Sequence, residues 1–162
     1  MTEDAIPAGL HPAQLFHVGV TAVDFEGAKA EMSRNLGVAW KGGRPTPMEI
    51  VLGDEARTIE MRIAHTVQGP PHIELIQCVP DTPWAEVSRG VHHLCYWSDD
   101  AVAACAALES AGARRVMGRA GSGGGYLRTE AGMLIEIIGP PMRDYLTALA
   151  RGELDRTTRA PR

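Results

Sequence analysis

Cysteine is scarce in this chain and follows no pattern. The three residues are Cys78, Cys95 and Cys105, an odd number with no CxxC pair, which reads as reduced, mostly buried thiols in a cytoplasmic protein rather than a disulfide framework. Positive charge is not in excess either. Sixteen Lys and Arg stand against 20 Asp and Glu, a formal net charge of −4, and nucleic-acid or anionic-membrane partners usually require a basic face. No apolar run approaches the roughly 18–20 residues of a membrane span. The first residues, MTEDAIPAGLHPAQ, carry acids and prolines where a signal peptide needs basic residues and then an apolar stretch. What is present is ordinary for a globular domain: 162 residues, 44% hydrophobic and 22% charged, enough for one domain with a core.

The chain repeats itself. LFHVGVTAV (15–23) alternates like a strand, Asp24 offers an N-cap, FEGAKAEMSRNL places Phe25, Ala28, Met32 and Leu36 on one helical face, and Gly37 stops it. In the second half HHLCYWS, Asp99 or Asp100, AVAACAALESA with Val102, Cys105 and Leu108 on one side, and Gly112 follow in nearly the same register. MEIVL, RTIEMRIAHTV and HIELIQCV then answer to RRVMG, YLRTE and GMLIEII. Each half is β-α-β-β-β. One such unit has a sheet face to bury and open edges, so the two are expected to pair. The expected division is a leader over 1–14, one domain over 15–150 with modules at about 15–80 and 91–140, and a polar tail over 151–162. MRDYLTALA is expected as a short final helix.

The repeat carries polar residues with it. His17 and His93 lie early in the first strand of each half, and Glu74 and Glu136 lie among aliphatic residues in the last. A carboxylate in such a run is costly unless it is paired, neutralised or bound to a metal. Two histidines and two glutamates at matched positions suit one divalent ion, Zn, Ni, Co, Fe or Mn better than Ca or Mg. Of the adjacent His92 and His93, the second is in register with His17. Strand alternation turns His92 away, as a bystander that should tolerate change. His65 and His11 have no evident partner, and His72 reads as a turn-proximal residue. GSGGG (121–125) lacks the Lys-Ser/Thr of a phosphate loop and reads as a hairpin or flap.

FHVGVTAVDFEGA, PPHIELIQ, GVHHLCYWSDD and GYLRTEAGMLIEII together resemble the vicinal oxygen chelate superfamily, which includes glyoxalase I, methylmalonyl-CoA epimerase, extradiol dioxygenases and bleomycin-resistance proteins. GVHHLCYWSDD is most similar to the epimerase branch. The resemblance implies an α+β fold in which two βαβββ modules form a cupped mixed sheet around a metal site, with helices outside. It implies His17, Glu74, His93 and Glu136 as metal ligands and homodimers as the usual assembly.

For the reaction, it implies an isomerase, epimerase or lyase that moves a proton next to a carbonyl of a small-molecule substrate, with an acyl-CoA thioester as the epimerase-type candidate. The base expected by analogy is Glu60, preferred over Glu49 because RTIEMRIAH leads by a short turn into the Glu74 strand; Glu136 is the second base. Arg114, Arg115 and Arg119 are candidates to meet a CoA phosphate. Two alternatives stay open. An Fe(II) extradiol dioxygenase would use His17, His93 and Glu136 alone, and a metal-free sequestering protein would use none of the set.

Overall fold

The computed structural model describes residues 10–119 and 122–154. The leader expected over 1–14 and the tail over 151–162 therefore lie largely outside the described residues. In chain order the first half holds β1 (Leu15–Ala22), α1 (Phe25–Leu36), β2 (Trp40–Gly42), β3 (Thr46–Leu52), β4 (Glu55–Met61), β5 (Ile63–Thr66) and β6 (His72–Gln77). The second holds β7 (His93–Trp97), α2 (Ala101–Ser110), β8 (Arg114–Arg119), β9 (Gly125–Arg128) and β10 (Leu134–Ile138), and α3 (Pro140–Arg151) follows. Asp24 and Asp100 cap α1 and α2 as expected, each accepting a backbone N–H three residues on.

The strands form one mixed sheet in the order β2-β5-β6-β1-β7-β10-β9-β8-β3-β4. Each module keeps its last strand parallel to its first, β6 beside β1 and β10 beside β7. The modules join where β1 and β7 run antiparallel, with Val18 opposite Leu94. The resulting cup has its helices outside. α1 packs on Val20, Ala22 and Leu75 through Phe25, Ala28 and Met32. α2 packs on Leu127, Ile135 and Ile137. α3 closes one rim, setting Met142 and Leu146 against Phe16, Cys95, Trp97 and Ile138.

Two helix-face expectations are corrected. Val102 is exposed, because α2 buries Ala101, Ala104 and Cys105 with Leu108 partly covered, a stripe one residue round from the expected one. Leu36, the last residue of α1, is also exposed.

The first half departs from a plain βαβββ unit in its middle. β2–β3 and β4–β5 are the two arms of one long hairpin, joined by a two-residue turn at Gly53–Asp54 and bent where each arm breaks. At the bend Gly42 and Gly43 have φ of 87° and 93°, and a Cβ on Gly42 would lie 2.6 Å from the Ile63 carbonyl, so only glycine fits there. Below the bend β5 pairs with β6; above it β3 crosses to the second module and pairs with β8 through Ile50 and Val51. The underside of the crossing hairpin fills one end of the cup. Ile50 and Met61 pack there with Ile76, Trp84, Met117, Tyr126 and Leu134.

Ile50 is fully buried at this seam. Replacing it with alanine is expected to cost about 2–5 kcal/mol, read as a lower denaturant midpoint at unchanged m-value. A change within a few tenths of a kcal/mol would show that the crossing hairpin contributes little to the fold.

Candidate metal centre

Strand register carries four side chains to one point. In the central antiparallel pair His17 faces Cys95 and Gly19 faces His93. In the flanking parallel pairs Gly19 lies beside Glu74 and Cys95 beside Glu136. The two modules are thus related by a pseudo-two-fold between Val18 and Leu94, which maps His17 onto His93 and Glu74 onto Glu136. All four side chains are buried, and one ligand atom from each lies within 4.8 Å of the others.

The Nε2 atoms of His17 and His93 are 3.0 Å apart. Glu136 Oε2 lies 3.0 Å from the first and 3.4 Å from the second; Glu74 Oε2 lies 3.3 Å and 3.2 Å from them. An ion with bonds of about 2.1 Å holds neighbouring ligand atoms about 3.0–3.4 Å apart. Both Oε2 atoms are buried and accept no hydrogen bond, a costly state for a carboxylate that no donor or cation satisfies. The donor set, two imidazoles and two carboxylates, therefore fits a divalent ion of the Zn or Mn–Ni group.

The cluster's own electrostatics are those of alternating charges. Burial alone would lower the pKa of His17, but the neighbouring Glu74 and Glu136 carboxylates outweigh it and hold it well above 6.5. His93 is raised likewise, burial being outweighed by Glu136 and Glu74. Burial would raise Glu74, yet His17 holds it well below 4.5. Glu136 is lowered in the same way, by the close imidazoles of His17 and His93 against the cost of burial.

Around the four lie residues that the sequence did not single out. His65 pairs with Glu74 across β5·β6, and its Nε2 lies 3.0 Å from Glu74 Oε1, close enough for an ion pair but out of line for a hydrogen bond. Tyr126 pairs with Glu136 across β9·β10, the equivalent place in the other module, and its hydroxyl lies 3.4 Å from His93 Nε2. Burial together with Glu136 and Glu74 pushes the Tyr126 hydroxyl well above 10, so it keeps its proton. Both could have been found by counting back from each glutamate through its hairpin turn. Gly19 is equally required: a Cβ there would lie 2.0 Å from the His93 ring.

His92 departs from its expected role. The strand starts at His93, so alternation does not govern the residue before it. The His92 ring folds back, placing Nδ1 2.9 Å from His93 Nδ1 and Nε2 2.8 Å from the Pro83 carbonyl. Burial lowers its pKa, leaving it neutral at physiological pH.

Glu60 is not brought to the cluster. Ile59 and Met61 turn into the cup from β4, so Glu60 between them is exposed on the outer side, opposite Pro47, and Glu49 on β3 is exposed as well. His72 bonds the Thr66 carbonyl through Nδ1 and packs on Phe16, and His11 caps a 3-10 turn at Pro12–Gln14. The three arginines separate: Arg114 is exposed, Arg115 pairs with Glu109, and Arg119 lines a cavity of about 170 Å³. Tyr126, Glu136, Ser122, Gly123 and Met142 line the same cavity. Part of GSGGG thus rims a route toward Glu136, while Gly121 lies outside the described residues.

A cupped sheet built from two dyad-related modules around a His/Glu ring defines a class of protein, and residues 16–128 match the profile of the Glyoxalase/Bleomycin resistance protein/Dioxygenase superfamily. The chain belongs to this superfamily. Among solved structures, a methylmalonyl-CoA epimerase in complex with methylmalonyl-CoA and NH4+ is similar at 17% identity and TM-score 0.55, over 78% of this chain and 94% of that one. A variant of the Streptomyces coelicolor methylmalonyl-CoA epimerase with 2-nitronate-propionyl-CoA gives 17%, 0.54, 78% and 94%. The Mycobacterium tuberculosis methylmalonyl-CoA epimerase gives 22%, 0.53, 86% and 93%. At these identities the likeness is one of fold. Among curated proteins none matches the chain at a significant level. No helix among the described residues is long and apolar enough to cross a membrane.

Gly19→Ala is expected to push the His93 ring aside and weaken divalent-ion binding by about 10–100-fold. Gly118→Ala, whose added Cβ meets only Val51 at 3.9 Å, is the control. Equal affinities in a chelator competition would refute the cradle.

The pKa directions also fix how the metal-free protein responds to pH. Stability from the raised imidazoles is fully present below about pH 6.5 and lost as pH rises through their raised values; stability from the lowered carboxylates is present above about pH 4.5 and lost as pH falls through theirs. Chelator-treated protein should therefore melt lower at pH 9 than at pH 6, with zinc narrowing the difference. A higher melting temperature at pH 9 would contradict the charge pattern.

Proposed function

We propose that the protein is a metal-dependent isomerase, epimerase-like or glyoxalase-like with lyase chemistry included, that moves a proton next to a carbonyl of a small-molecule substrate. The observation that carries this reading is the convergence of four buried ligand atoms, two of them carboxylate oxygens without a donor. His17, Glu74, His93 and Glu136 would hold one divalent ion of the Co, Ni, Mn, Zn or Fe group. When bound, that ion supplies Lewis-acid stabilisation of negative charge developing on a substrate oxygen.

The chain's own groups do the rest. Glu136, which lines the cavity, would take up the substrate proton, a role that the outward-facing Glu60 does not share. Tyr126, protonated and facing the same cavity, donates a hydrogen bond to the developing charge. Arg119 has Met142 Sδ as its hydrogen-bond acceptor, at 3.2 Å, and no described carboxylate pairs with it. A sulfur is a weak acceptor, so this guanidinium suits a substrate bearing a carboxylate or phosphate, as an acyl-CoA thioester would. The functional unit is residues 15–150, acting as a cytoplasmic homodimer in keeping with the reduced cysteines and the superfamily's habit. The symmetric place of Glu74 beside Glu136 favours this reading over a ring-cleaving dioxygenase, whose triad has no ligand from that strand.

Purified protein is expected to carry about one divalent ion per chain, reduced in Glu74→Ala and His93→Ala, and to exchange the α-proton of methylmalonyl-CoA in heavy water. Unchanged metal content in both variants would sink the reading. Oxygen uptake with catechols and no exchange would move it to the dioxygenase class, and tight binding of a drug-like aromatic without turnover to sequestration.

A further inference from the structure

The His92–His93 contact reaches beyond this reading, though it rests on it in taking His93 as a ligand. Two imidazole nitrogens 2.9 Å apart need one proton between them. A carbonyl oxygen can only accept, so the His92 Nε2 held 2.8 Å from the Pro83 carbonyl carries a hydrogen. In a neutral ring that leaves His92 Nδ1 as an acceptor. The proton between the rings therefore belongs to His93 Nδ1, and the nitrogen left for a metal ion is His93 Nε2, on the side of Glu74, Glu136 and His17.

The far end of the chain of bonds is anchored. Trp84, next to Pro83, is almost fully buried against Tyr126. Its backbone is tied by a bond from its N–H to Thr82 Oγ1 and one from the Val79 N–H to its carbonyl. His17 has no such partner: its Nδ1 makes no hydrogen bond, with Cys95 opposite it on β7.

We propose that His92 is a positioning residue: anchored by the Pro83 carbonyl, it accepts the Nδ1 proton of His93 and so fixes His93 in the one tautomer that can give Nε2 to a metal ion. The outer partner of a ligating imidazole sets its tautomer, orientation and basicity. The arrangement divides the two ligating histidines into one that is oriented from outside and one that is oriented by packing.

The test uses the full chain with zinc as the probe. In uniformly ¹⁵N-labelled zinc-loaded protein, a through-hydrogen-bond ¹⁵N–¹⁵N coupling is expected between the Nδ1 atoms of His92 and His93, with the proton assigned to His93. Zinc affinity, read by competition with a chelator, should fall about 10–100-fold in His92→Phe and recover in part in His92→Gln, whose amide oxygen can accept. The metal-free melting temperatures should stay close to that of the wild type. A proton found on His92 Nδ1, or equal zinc affinity in all three proteins, overturns the proposal. Should His92→Phe fail to fold, the coupling in the wild type decides alone. A wild type that takes up no zinc overturns the metal reading and this role with it, whereas zinc uptake with unchanged affinity in His92→Phe overturns only the role of His92.

Discussion

The antiparallel pairing of β1 with β7 is the constraint on which the site depends. It fixes Val18 opposite Leu94, and a two-fold at that pair sends each module's polar residues toward the other's. A slip of one residue would turn His17 and His93 to the convex face, against α1 and α2. The parallel neighbours then place the carboxylates, because Gly19–Glu74 and Cys95–Glu136 share one register. Symmetry also explains why four costly groups are tolerated together. Each carboxylate faces both imidazoles, so the charges offset one another without a cation, and the same geometry suits one.

The symmetry is broken one layer out, and there the chemistry becomes directional. His65 flanks Glu74 where Tyr126 flanks Glu136. Gly19 leaves room for the His93 ring, while the position equivalent to Gly19 holds Cys95, which faces His17. The cavity opens on the Glu136 and Tyr126 side, next to Arg119. A ring of nearly equivalent side chains is thereby given a front and a back by the residues around it.

Much of this was legible in the sequence, for a physical reason: a repeat shows twice whatever the fold needs twice. His17 with His93 and Glu74 with Glu136 stood out because each pair recurs in matched strands; the pairing of the two halves followed from sheets that each lacked a cover, and their cupping from the family resemblance. What was not legible depends on where elements begin and bend. His92 was misjudged because strand alternation was extended one residue past the start of β7. Glu60 was placed by analogy, and the alternation of β4 turns it to solvent. The crossing hairpin was hidden because the bend at Gly42 and Gly43 leaves no periodic signal, and its partner β8 lies in the other half of the chain.

That hairpin has a consequence for the girth of the cup. β4, at one end of the strand order, runs into β5, near the other end, with only Arg62 between them. The sheet is accordingly a belt buckled by its own backbone, the closure made by the β4–β5 continuity and the β3·β8 pairing. Such a wall cannot spread to admit a guest without tearing the β3·β8 seam. The cavity beside Glu136, lined by Ser122, Gly123 and Met142, is then bounded by a rim whose girth the backbone limits.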